Sequence, residues 1–341
     1  MENAGIADER GEVDLRVHGL GMAALAAAFI VSVPPTSGPA SLPAPTDIAS
    51  AGAAPVAVEG TPTWAQVAGG SAWIATDAGL VQLDGVTGDA VGTTALPGPV
   101  CAGMGAGEGS LWIGTCGDPL ITRVDAATGE VQATIPMDIP TWLRDRSSVS
   151  VGEGSVWALT DGNEPLLVRI DPATNAVVDR FPVAVGSSAL QAGLGAVWIT
   201  NCDEEILLRI DPTTGERVAT IDVGYYPDAL AIGEGSIWVI DQEDGTVSRV
   251  DPSTNTRVAV IPVSDVGIDG DIVVAGGSAW VRVNDALLAE IDPETNTVVA
   301  RYGPAAGHGS VAADDSAVWV TGADPATVWR LPLPLPAPAT S

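Results

Sequence analysis

The sequence predicts an all-β fold, a seven-bladed β-propeller of four-stranded antiparallel blades, from three observations. Tryptophan recurs at intervals of 39 to 45 residues. Each of these tryptophans follows a glycine-rich phrase such as GEGSIW, and the chain between them holds only short Val-, Ile- and Thr-rich runs separated by turn residues. A period of about 40–45 residues built only from strands is typical of propeller blades. The repeated tryptophans are Trp73, Trp112, Trp157, Trp198, Trp238, Trp280 and Trp319.

The repeat around residues 228–263 illustrates one predicted blade. Its four runs read as an antiparallel meander. The first run is expected to line a central channel, and glycine in the turn at 233–235 supplies the positive φ that reverses the chain. Trp238 lies on the second strand among apolar neighbours on both sides, as expected of a strand buried between two blades. The sequence therefore places each repeated tryptophan in the core.

The third strand of most repeats ends in a phrase such as RVDPSTN or RIDPTTG. Aspartate followed by proline begins a β-turn, and Asn or Gly takes its left-handed position. These aspartates are interpreted as turn residues rather than as a series of calcium ligands. The arginine that opens each phrase, for example Arg209, is interpreted as a structural contact between blades.

Ring closure is predicted at the two ends of the repeat region. The seventh repeat runs into LPLPLPAP, whose prolines cannot donate to a sheet, so it lacks a fourth strand. Residues 55–58 resemble the fourth-strand phrase at 257–260 and are predicted to pair with residues 327–331. The propeller then spans 53–333 and is followed by a proline-rich tail at 334–341.

Residues 1–52 form a predicted leader. Residues 19–33 are uncharged and suit a signal peptide or a short membrane anchor. The acidic segment before them indicates either a translation start nearer Met22 or a short cytoplasmic tail, and a Pro/Ala/Ser linker follows. In both cases the protein is expected to be secreted, periplasmic or held at the cell surface.

The net charge is −29, from 43 acidic residues against 14 arginines. Such a surface repels phosphate backbones and anionic headgroups, which excludes nucleic-acid binding and membrane docking by charge. We expect a soluble monomer whose partner is a small molecule or a protein. Cys101 and Cys116 flank one hairpin and are expected to form a disulfide in an oxidising compartment, which leaves Cys202 as a lone thiol.

A ligand site is predicted at the end of the channel where the loops are irregular. The turns at the other end are short and uniform, whereas the loops after the second strands and between blades vary, and function concentrates on such loops. Trp64 is expected in one of these loops. Positions eleven residues before the repeated tryptophans should form a ring around the channel mouth: Pro62, Cys101, Arg146, Ser187, Pro227, Asp269 and His308. The candidate ligand-binding residues are Trp142, Arg144, Arg146, Tyr225, Tyr226, Asp228, Asp269 and His308.

Each group of candidates has a role and an alternative. Trp142 and the two tyrosines would stack on or cap an apolar ligand, and Arg144 or Arg146 would pair with an acid on it. The alternative is structural: the aromatics cover the inner rim and Arg146 pairs with a neighbouring aspartate.

The phrase GxGSxWV…RIDPxTNxVV resembles the YVTN-repeat and streptogramin (virginiamycin B) lyase-like propellers over nearly the whole repeat region. The lyase branch of this resemblance implies a magnesium-dependent, lactone-opening enzyme with a pair of histidines near the channel mouth. Here AAGHGSV offers His308, the second histidine is absent, and Gly307 and Gly309 flank it in place of acids.

Two hypotheses follow. The first is an extracytoplasmic binding module with no catalytic residue and no cofactor. The alternative is a metal-dependent lyase or hydrolase, with His308 as general base and Asp228, Asp269 or Asp271 holding Mg²⁺ or Ca²⁺. The lone histidine favours the binding module.

Overall fold

The protein is described by a computed structural model over residues 41–118, 120–139 and 148–335. Seven blades of four antiparallel strands form a ring in which the first strand of each blade contacts the first strands of its neighbours, and the sheet of the sixth blade has one additional parallel strand. The predicted fold class is confirmed. Within the described ranges no helix is long and apolar enough to cross a membrane, and the uncharged segment at 19–33 lies outside them.

The strands follow the repeats in chain order. The first four blades are β3 (Pro62–Ala68), β4 (Ser71–Thr76), β5 (Gly79–Asp84), β6 (Ala90–Thr94); β7 (Val100–Gly107), β8 (Ser110–Thr115), β9 (Leu120–Asp125), β10 (Val131–Pro136); β11 (Val149–Gly152), β12 (Ser155–Leu159), β13 (Leu166–Asp171), β14 (Ala176–Pro182); and β15 (Ser187–Gly193), β16 (Ala196–Asn201), β17 (Ile206–Ile210), β18 (Arg217–Asp222). Blades 5 and 6 are β19 (Pro227–Gly233), β20 (Ser236–Asp241), β21 (Thr246–Asp251), β22 (Thr256–Pro262); and β23 (Ile272–Ala275), β24 (Ser278–Arg282), β25 (Leu288–Asp292), β26 (Thr297–Gly303). Blade 7 combines β27 (Val311–Asp314), β28 (Ala317–Ala323) and β29 (Ala326–Pro332) with β2 (Ala54–Val56).

The repeated tryptophans form the cores between blades, as predicted. Each is 0–1% exposed on the second strand of its blade. In six of them the indole Nε1 donates to the carbonyl of the residue five positions earlier, for example Trp198 to Gly193 at 3.0 Å. A buried indole N–H requires such a partner, so the hairpin before each of these six tryptophans also satisfies its polar atom.

The hairpin turns behave as predicted. Asp211 accepts the N–H groups of Thr213 and Thr214, and these bonds hold its pKa below the usual range. The equivalent aspartates each accept the N–H of the residue two positions later, so they are turn residues. In the turn after β19, Glu234 as well as Gly235 adopts a positive φ, so glycine alone does not supply the reversal there.

The repeated arginines link neighbouring blades. Arg209 lies over the Trp198 ring, 5.2 Å from its centroid, and its Nη1 donates to Pro252 O and Asn255 Oδ1 of the next blade, both at 2.8 Å. Six of the seven blade interfaces carry a bond of this type between described residues, with Gln82 replacing arginine in blade 1. The exception is the interface between blades 6 and 7.

Blade 6 has Glu290 in the arginine position. Its carboxylate accepts from Ser278 Oγ at 2.9 Å and from the Tyr302 hydroxyl at 3.2 Å, and Tyr302 stacks on Trp280. Burial raises the pKa of Glu290 and that of Tyr302. Blade 7 lacks the Asp-Pro turn that would accept an arginine from blade 6. Glu290 and Tyr302 instead bond each other within blade 6.

The N-terminal segment Thr46–Val56, termed the strap, crosses that interface. β2 pairs with β29 at residues Val328–Arg330, which confirms closure of the ring by an N-terminal strand. The strap also contains β1 (Thr46–Asp47), parallel to the outer strand of blade 6, and a 3₁₀ helix η1 (Ile48–Ala51). Ile48 is fully buried in a cluster with side chains of blades 6 and 7, so residues that precede position 53 also pack against these blades.

Candidate functional site

A cavity of about 360 Å³ opens at the predicted end of the ring, where the inner strands of blades 1, 5, 6 and 7 begin. This volume lies at the lower end of the range of small-molecule sites. Its lining combines an aromatic ring, an imidazole, hydroxyls and three carboxylates: Thr63, Trp64, Asp228, Ala229, Asp269, Gly270, Asp271, His308, Gly309 and Ser310.

Trp64 corrects one expectation. It lies on the inner strand β3 and not in a loop between blades. The six residues at the equivalent position of the other blades are glycine, alanine, serine or aspartate. Trp64 and Asp271 also line the second cavity, the central channel of about 370 Å³. The half-buried indole therefore stands between the mouth and the channel.

Asp271 lies where three blades meet. Its Oδ1 accepts the N–H of Ile272 at 2.9 Å, and its Oδ2 accepts the hydroxyl of Ser310 at 3.0 Å. The same Ser310 oxygen receives the N–H of Ala65 at 3.3 Å, which ties blade 1 to blades 6 and 7. Burial raises the pKa of Asp271 to about 6, because neutral donors compensate only part of the lost hydration.

Asp228 and Asp269 enter the cavity from neighbouring blades. Asp228 is 7% exposed, and its Oδ1 accepts from Ser188 Oγ at 3.0 Å. Asp269 is exposed, and its backbone N–H donates to Asn284 Oδ1 at 3.1 Å. The two carboxylates, one buried and one at the surface, thus line different depths of the cavity.

His308 is held by its flanking glycines and by a buried arginine. Gly307 has a φ of +63°, and a Cβ on Gly309 would lie 2.1 Å from the carbonyl oxygen of Thr321. Both glycines are therefore required by backbone geometry. The guanidinium of Arg282 donates to the Gly307 carbonyl, so the loop that carries His308 is fixed to blade 6.

Arg282 is the residue that the sequence analysis missed. It is 0% exposed, and its other guanidinium bonds reach the carbonyls of Thr321 (Nε, 3.0 Å) and Val283. Burial lowers its pKa to about 10, and the charge of Asp269 acts in the opposite direction. The repeat did mark this residue as unusual. Arg282 stands two residues after Trp280, and at that position the other blades carry Ala, Gly, Leu, Thr or Ile.

The structure brings together only part of the predicted site. Asp228, Asp269 and His308 share the cavity, and so does Asp271. Tyr225 and Tyr226 precede β19 at the same end of the ring but do not line it; Tyr225 is 53% exposed. Trp142, Arg144 and Arg146 lie outside the described residues.

Cys101 and Cys116 are joined by a disulfide with a Cα–Cα distance of 5.8 Å. It closes a hairpin in blade 2, away from the cavity lining. Cys202 is outside this bond, and its Sγ donates to the Pro227 carbonyl at 3.1 Å.

The cavity aspartates are not grouped as ligands of a divalent cation within the described part of the chain. Among the residues that the structure describes, no group of three or more His, Cys, Asp or Glu side chains is arranged to hold a metal ion. Asp271 uses both carboxylate oxygens in hydrogen bonds to Ile272 and Ser310. No reaction step through a metal follows from this donor set.

Neither a protein-family model nor a curated protein matches the chain. Among solved structures it is similar to BamB from Moraxella catarrhalis, with a TM-score of 0.56 and 18% identity over 80% of this chain and 86% of that chain. At this identity the similarity concerns the fold. Together with the seven four-stranded blades, it establishes that the chain adopts a β-propeller fold with its variable loops and a mixed polar and aromatic cavity at one end.

Proposed function

We propose that the protein is an extracytoplasmic binding module whose small-molecule ligand occupies the cavity at the mouth of the channel. The observation that carries this proposal is the lining itself. Four blades contribute an indole, an imidazole, two hydroxyls and three carboxylates to one concave surface, whereas uniform hairpin turns occupy the opposite end. Concave sites with one aromatic surface and a few converging polar groups are typical of ligand binding.

Three features support the extracytoplasmic location: the Cys101–Cys116 disulfide, the uncharged segment at 19–33 and the strongly acidic composition. Disulfides persist in oxidising compartments. The repeat phrase supports a relationship to the YVTN-like propellers, and we propose that relationship for the binding branch rather than for the lyase branch. His308 shares the cavity with carboxylates but has no second histidine beside it in the sequence, and within the described ranges the aspartates are not grouped as metal ligands.

A screen with two bulky variants tests the site. Thr63→Trp fills the mouth from an exposed position, and Val86→Trp adds similar bulk at an exposed turn at the other end of blade 1. Pools of small molecules are screened by thermal shift, because a ligand that binds only the native state raises Tm. A cavity ligand stabilises the wild type and Val86→Trp but not Thr63→Trp. Equal stabilisation of all three proteins places the site elsewhere.

A further inference from the structure

The mouth cavity and the central channel meet at two residues. The cavity has a volume of about 360 Å³ and the channel a volume of about 370 Å³. Among the described residues, Trp64 of blade 1 and Asp271 of blade 6 are the two that line both spaces. These residues therefore stand at the junction through which a molecule in the mouth would enter the channel.

The backbone that carries Trp64 is fixed to blade 7 on both sides of the indole. The carbonyl of Thr63 accepts from Thr321 Oγ1 at 3.3 Å, and the N–H of Ala65 donates to Ser310 Oγ at 3.3 Å. The indole itself packs against the apolar cluster between blades 1 and 2 and is half-buried. Because its backbone is bonded and its ring is packed, the side chain leaves this position only by a local opening of the structure.

Bulk at this level of the ring comes from blade 1. The residues nine positions before the other repeated tryptophans are Gly103, Ser148, Ala189, Ala229, Asp271 and Ser310. Glycine, alanine and serine are short, and the carboxylate of Asp271 is engaged by the Ile272 N–H and the Ser310 hydroxyl. Trp64 is therefore the one large side chain that the described part of the ring places at the junction.

We propose that Trp64 determines how deeply a ligand enters, because its indole closes the channel to a molecule in the mouth. The ligand is then a compact molecule and not a chain threaded through the ring. This inference rests on the proposed binding function and adds the size class of the ligand. A cavity of about 360 Å³ has the size of a small-molecule site. Gln66 and Gln191, which line the channel beyond the indole, are out of reach of such a ligand.

A thiol placed in the channel measures passage beyond the indole. Gln191→Cys introduces it on blade 4, and Cys202→Ser removes the free thiol of the native chain. The rate of modification by N-ethylmaleimide, a neutral reagent, is measured with Trp64 present and in the Trp64→Phe and Trp64→Ala variants. The rate should increase at least about tenfold from tryptophan to alanine, with phenylalanine between them, because the reagent no longer depends on a local opening of the indole.

Tyr225→Ala is the control. It removes an aromatic side chain that is 53% exposed at the same end of the ring and lines neither space, so the rate should not change. All rates are measured well below the Tm of each variant, so that global unfolding does not contribute. Trp64→Phe, the smaller change, keeps the test valid if Trp64→Ala does not fold.

Two results would overturn the inference. Equal rates with tryptophan, phenylalanine and alanine at position 64 would show that the channel is entered without passing the indole. An equal increase in Tyr225→Ala would show that the mouth loosens whenever an aromatic side chain is lost. The proposed binding function fails separately: if the rates follow the size of residue 64 but no pool stabilises the wild type in the thermal-shift screen, Trp64 closes the channel but the mouth is not a ligand site.

Discussion

The hydroxyl of Ser310 donates to the carboxylate of Asp271 at 3.0 Å, across the interface between blades 6 and 7. Ser310 immediately precedes the inner strand β27 of blade 7, and Asp271 immediately precedes the inner strand β23 of blade 6, so the bond joins equivalent ends of the two strands in the cavity lining. It is made at the interface that lacks the repeated bond to the hairpin turn of the next blade, and where Arg282 instead bonds the carbonyls of Thr321 and Gly307. The cavity is thus built beside the interface whose contacts differ from the rest of the ring.

The pH dependence of stability should carry the signature of Asp271. Its folded pKa is about 6 and its unfolded pKa is near 3.8, so between these values the folded state holds a proton that the unfolded state has lost. Stability therefore falls as pH rises from about 4 to 6 and the contribution is constant above 6. The titratable side chains that face the same cavity are those of Asp228, Asp269 and His308.

The measurement is Tm from pH 4 to 8 for the wild type and Asp271→Asn. The difference between the two Tm values at each pH is compared, because the effect of net charge on stability is common to both proteins and cancels. The Tm of the variant relative to the wild type should increase up to pH 6 and then level off. A difference that is flat over this range contradicts the raised pKa.

Loss of Arg282 should destabilise the ring. Arg282→Met leaves the carbonyls of Thr321, Val283 and Gly307 without their buried donor, and we expect a loss of about 2–4 kcal/mol in the free energy of unfolding. Arg217→Met, at an exposed position on β18, should change it by less than about 0.5 kcal/mol. Urea denaturation compares the two, and equal small effects would show that water replaces the guanidinium.

Truncation should separate the two roles of the strap. Deleting residues 1–41 removes none of the strap and should leave Tm unchanged. Deleting 1–53 removes β1 and the buried Ile48, and deleting 1–60 also removes β2, so that β29 becomes an open edge. Tm should fall in two steps. Equal values for the deletions of 1–41 and 1–60 would contradict closure of the ring by this segment.

The repeated tryptophans should matter more for stability than Trp64. Trp198→Ala leaves a cavity between blades and removes the ring beneath Arg209, at a cost of about 3–5 kcal/mol. Trp64→Ala should cost less, because its indole is half-buried at the mouth and channel. Guanidinium chloride denaturation measures both. A larger loss for Trp64→Ala would identify that residue as core and weaken the assignment of the cavity as a ligand site.

The sequence by itself determined the blades. Strand order, the buried Trp238, the Asp211 turn and the arginine links depend on neighbours within one repeat or between adjacent repeats, so they leave a periodic signal. Ring closure was also readable, because the last repeat lacks a strand and the first is preceded by one; the prediction named residues 55–58, and the strand is Ala54–Val56.

Only the tertiary structure decided which residues meet at the mouth. Ala65 and Ser310 bond across 245 residues of sequence because the ring brings blade 1 beside blade 7. The inner position of Trp64 and the guanidinium contacts of Arg282 are departures from the repeat, and a periodic pattern cannot assign their partners. A propeller repeats its scaffold locally, but its cavity is formed by side chains whose proximity depends on closure of the whole ring.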